Sequence, residues 1–131
     1  MKFFIVKLFA LVSILTSLQY VYSEENIATE NSSADISSIV KEEIEKLTLN
    51  DSCNKVRAIQ KLGEMQSDAL LAVPHLIELL DNKASCIVHG FDFSVKILMF
   101  NLEAMYALES ITGLDFHRDK GKWAEWWRNK K

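Results

Sequence analysis

This chain of 131 residues has little of what usually breaks or staples a fold: one proline, four glycines and two cysteines. The glycines fall in no phosphate-cradling pattern, so a nucleotide loop is not expected. His75, His89 and His117 are scattered, without the Cys/His spacing of a metal centre. Basic residues are no excess either, at 15 against 18 acidic, so no general electrostatic pull toward nucleic acid or anionic membrane is expected. The carboxylates are patterned like a solvated surface, and no pair stands out for acid/base work. These absences point away from an enzyme, a cofactor or a bound metal. What remains is a globular composition, 49% apolar and 25% charged, of a length for one small domain.

No long apolar run is present. Lys2 and Lys7 lead into Leu8–Leu18, which is shorter than the roughly 20 residues of a membrane span. Val21-Tyr22-Ser23 then suits signal peptidase, so residues 1–23 are read as a cleavable signal, cut after Ser23, and the protein as secreted or periplasmic. An uncleaved anchor or a buried helix is the alternative. No cysteine follows the run, which argues against a lipoprotein. Cleavage leaves 13 basic and 18 acidic residues. Residues 24–34 are polar and aperiodic, a flexible leader to a folded domain at 35–131.

The domain opens with a helix to about Leu49, capped by Asp35 or a nearby Ser, with Ile36, Ile39, Val40, Ile44 and Leu47 on one face. Lys41, Glu42, Glu43, Glu45 and Lys46 lie mostly off that face. Asn50-Asp51-Ser52 breaks it. In Asn54–Asp81 two helical patterns follow with only a short turn between them. Val56, Ile59, Leu62 and Met65 form one stripe; Leu70 to Leu80 is apolar around most of its circumference and so covered on several sides. Gln66, Ser67 and Asp68 supply the turn and an N-cap. Pro74 lacks an N–H and crowds the carbonyl four residues back, so the second helix should kink or restart there.

These residues resemble a known family. AVPHLIELLD at 72–81 is similar to the first helix of a HEAT-type repeat, and VRAIQKLGEM at 56–65 to the second. ALESITGLDF at 107–116 with KWAEWW at 122–127 resembles the closing element of bacterial HEAT-repeat proteins; the likeness covers roughly 36–129. It implies an all-α fold: a short α-solenoid of about two helical hairpins plus a C-terminal capping helix. Helix 36–49 would pair with 53–65, and helix 68–81 with one in 94–112. Aligning Ala58 and Leu62 with Ala104 and Leu108 places Glu103 where the family carries arginine, which puts its Asp–Arg ladder in doubt. Residues 82–94 become an insertion in the intra-repeat loop. In the family the second helices line a concave face, so the resemblance makes Arg57, Gln60, Lys61 and Glu64, with the matching face of helix 101–111, the candidate partner contacts. Val88, Phe91 and Phe93 in the inserted loop would add an apolar anchor.

Cys53 and Cys86 fall in corresponding turns of the two units, which stacked repeats bring side by side. After export, a disulfide between them is the leading reading. The rival, a nucleophilic cysteine served by His75 or His89, lacks any supporting spacing. Gly113 should end the long helix in the left-handed conformation, with Leu114 and Phe116 folding back. Asp119 can cap a last helix whose Trp123, Trp126 and Trp127 share one face and plug the stack. The expected function is non-enzymatic: a monomeric protein–protein interaction module or scaffold of the cell envelope or secreted space. The alternatives are a small-ligand or glycan-binding protein using the tryptophan end, and an inhibitor or immunity-type protein.

Overall fold

The computed structural model describes residues 33–130. The expected signal segment and most of the expected leader fall outside them. Residues 33 and 34 are already helical, and Asp35 lies inside the helix rather than at its cap. This helix, α1 (33–46), ends three residues short of the expected Leu49. There the Thr48 hydroxyl and amide both donate to the carbonyl of Glu45, closing the chain into a turn.

α2 (Ser52–Glu64) starts at Asp51, whose carboxylate accepts from the amides of Cys53 and Asn54, both at 2.9 Å. A cap of this kind contributes about 1 kcal/mol by pairing amides that no helical carbonyl can reach. The expected helix 68–81 is two pieces: a 3-10 segment, Gln66–Ala72, and α3 (Val73–Leu79). Pro74 sits in the first turn of α3, where a missing N–H costs nothing, so the helix restarts at the proline. Asp68 makes no capping hydrogen bond; the 3-10 segment begins one turn too early for it.

The protein is predominantly helical, roughly as the all-α reading expects, with one small sheet added. Strand β1 (Ser85–His89) and strand β2 (Val95–Met99) form a two-stranded antiparallel sheet with Ile87 opposite Ile97. The expected inserted loop at 82–94 is therefore the first strand and turn of a hairpin, and the helix expected in 94–112 begins only at Phe100. Cys86-Ile87-Val88 and Val95 to Ile97 are rich in β-branched side chains, which fit a pleated surface better than a helix.

α4 (Phe100–Thr112) ends as expected at Gly113, in the left-handed conformation at φ 71°, its N–H donating to the Glu109 carbonyl. α5 (Lys120–Lys130) is capped by Asp119, which accepts from the Lys122 amide at 3.0 Å. From Ser37 onward the chain forms one compact unit. Its core joins Val56, Ile59 and Leu62 of α2, Leu76 of α3 and Ala104 and Leu108 of α4. α2 and α4 approach closely because Gly63 faces Ala107: a β-carbon there would lie 3.1 Å from the Ala107 α-carbon. Trp123 is fully buried and donates its indole N–H to the His117 carbonyl at 2.9 Å, with Phe116 edge-on at 4.8 Å. Lys120 ties α5 to α3 through Glu78 and Asp81.

Candidate functional site

The two cysteines are joined, Cys53 in the first turn of α2 to Cys86 on β1, with α-carbons 4.9 Å apart. Their setting differs from the one expected. Cys86 stands on a strand, not in a turn between helices, so the bridge staples a sheet to a helix. Beneath it Val56, Cys86, Leu98 and Phe100 form a separate small core. Such a bridge is compatible with an extracytoplasmic location. Among the described residues, no helix is long and apolar enough to cross a membrane.

The hairpin has two unlike faces. Cys86 and Leu98 point inward and are buried; Ile87, Val95 and Ile97 point outward and are each more than half exposed. The turn displays Phe91 and Phe93, at 109% and 98% exposure. This tip is held rigidly. The Gly90 amide donates to the Ser94 carbonyl at 2.8 Å and the Phe93 amide to the Gly90 carbonyl at 3.2 Å. Asp92 accepts from the Ser94 hydroxyl at 2.6 Å and the Ser94 amide at 3.2 Å, and these bonds hold its carboxyl below the usual range. A β-carbon on Gly90 would collide with both of those side chains.

Phe93 departs from local backbone rules, as Gln66 and His117 do elsewhere in the chain. It closes a three-residue turn at φ 61°, a left-handed position where glycine is the default. A bulky side chain there costs on the order of 1 kcal/mol. The sequence places an aromatic ring at that position and leaves it in solvent. The pattern Gly-Phe-Asp-Phe-Ser shows aromatics in a turn, but only the backbone geometry shows this strain.

The four α2 residues expected to face one partner are divided by the helix. Gln60 and Glu64 line an open groove of about 400 Å³ between α2 and α4, with Glu103, Tyr106 and Ser110. Arg57 and Lys61 line another, of about 320 Å³, between α1 and α2. Two of the four are already engaged: Gln60 donates to Glu103 at 3.0 Å and Lys61 to Glu43 at 2.7 Å.

Glu43, expected off the apolar face, is 2% exposed. Burial alone would raise its carboxyl, but hydrogen bonds and charge from Lys61 and Lys46 outweigh it and hold the pKa below the ordinary value. Sequence periodicity missed it because its partner Lys61 lies 18 residues away.

Of the tryptophans, Trp123 is inaccessible and Trp126 and Trp127 are half-buried, with the Lys130 ammonium 5.0 Å from the Trp126 ring. Near the C-terminal turn Glu109, Asp115 and His117 bring possible ligand atoms within 4.8 Å of one another. His117 pairs with Asp115 at 2.8 Å. Burial, then a hydrogen bond with Asp115, raises the Glu109 carboxyl. The group thus satisfies itself, at a largely exposed position. Comparison with known protein families, curated proteins and solved structures finds no match to this chain.

Proposed function

We propose that this is an exported, non-enzymatic protein-interaction module that docks another polypeptide on its β-hairpin. One observation carries the reading: two fully exposed phenylalanines on a tip stiffened by hydrogen bonds, one of them held in a strained backbone conformation. Exposed aromatic anchors on a rigid support are the usual energetic centres of protein interfaces, because little entropy is lost when they bind. Backbone strain concentrates where a displayed side chain matters more than stability. The disulfide fits an oxidising compartment, and the sequence pattern at 1–23 supports export to it. The HEAT-like reading of the helical body is part of this proposal: α2 and α4 act as the scaffold, and the Gln60–Glu103 groove as a secondary polar contact.

The test is affinity purification of tagged protein from the exported fraction, followed by mass spectrometry. Phe91→Ser/Phe93→Ser should lose the protein recovered with wild type, while Arg57→Glu, which leaves the Lys61–Glu43 pair intact, should keep it. A recovered protein indifferent to the phenylalanines but lost on charge reversal would move the site to α2.

A further inference from the structure

The hairpin offers more than its tip. Hydrogen bonds from Gly90 to Ser94 and from Phe100 to Ala84 fix the ladder, so even-numbered residues of the strands bond across the pair. The N–H and C=O groups of Ile87, Val95 and Ile97 therefore point away from the partner strand. On the β1 side this edge is shielded: the Ile87 carbonyl lies 4.0 Å from Cys53 Sγ, against the first turn of α2. On the β2 side, no hydrogen bond from a described residue meets Val95 or Ile97. That edge has no proline and no bulge, and its one charge, Lys96, projects from the opposite face. Natural proteins rarely leave such an edge unprotected.

We infer that the β2 edge pairs with the same edge of a second copy of this chain, joining two hairpins into a four-stranded antiparallel sheet. This rests on the reading of the hairpin as a docking surface and names its occupant. The sequence of β2 is self-complementary about Ile97. A two-fold axis there sets Ile97 against Ile97 and Val95 against Met99, apolar on apolar, and Lys96 against Leu98. Lysine thus never faces lysine, which cross-strand pairing disfavours. An axis at Lys96 would oppose the two ammonium groups, and one at Val95 would set Leu98 against Asp92. The outward rows of both hairpins then merge, with Ile87 and Ile97 of each copy side by side.

Isologous pairing of this kind closes on itself and leaves no β2 edge for further growth.

Sedimentation of the oxidised full chain over a concentration series tests this. Wild type should reach a dimer, and Ile97→Lys, at an exposed site where folding is retained, should weaken it at least about tenfold, equivalent to 1.4 kcal/mol. Circular dichroism checks the fold, and Val95→Lys gives a second arm with the same expected loss. A dimer unmoved by both variants would overturn the pairing. A wild-type monomer at all concentrations would overturn it as well. If that monomer still captured a different protein through Phe91 and Phe93, the docking reading would stand without the second copy; no capture would remove both.

Discussion

The helical body and the hairpin solve the same problem in opposite ways. In the body, apolar stripes turn inward, Gly63 lets α2 and α4 close together, and even the buried Glu43 has two ammonium partners. In the hairpin, apolar side chains turn outward and a phenylalanine occupies a glycine's conformation. A disulfide joins the hairpin to the body. Positive-φ backbone also occurs in the body, at Gln66 and His117, but among the described residues it is in the hairpin that it carries a fully exposed aromatic ring.

Cutting the staple should separate the two regions most sharply. Reduction, or Cys53→Ser with Cys86→Ser, should lower stability by roughly 3–4 kcal/mol for a loop of this length. Urea denaturation with and without reductant measures the loss. Hydrogen exchange should show hairpin amides losing protection before those of α2 and α4.

Next in size is the closest helix contact. Gly63→Val places branched carbons against the Ala107 backbone and should cost about 2–3 kcal/mol, read from the thermal midpoint. A cost near zero would mean that α2 and α4 can part freely, unlike a packed core.

Glu43 gives a smaller effect with a definite sign. Its folded pKa lies below the ordinary 4.5, so its contribution is fully present above that value and is lost as pH falls through the folded pKa. Glu43→Gln should flatten the acid limb of the stability curve. At neutral pH it should cost about 1–2 kcal/mol, since both lysines are partly solvated. An unchanged acid limb would show that the Lys46 and Lys61 contacts add nothing.

Much of the body was legible in the sequence. The stripe of Val56, Ile59 and Leu62, the restart at Pro74, the Gly113 terminus and the Asp119 cap all follow from local chemistry that the structure repeats. The hairpin was not, because Ile87-Val88 and Val95 to Ile97 are short apolar runs that a helical repeat pattern absorbs as loop and helix. Glu43 escaped for another reason: its partner Lys61 belongs to the next helix. Phe91 and Phe93 were visible as aromatics in a connecting segment, but the strain at Phe93 lies in the backbone and in no residue type.

That strain provides the most direct test of the account. Phe93→Gly should relax the turn and raise stability by about 0.5–1 kcal/mol. The same protein should lose capture of its partner in the affinity experiment. Higher stability with weakened binding is the predicted result; higher stability with binding intact would mean the exposed ring does nothing, and would contradict the account.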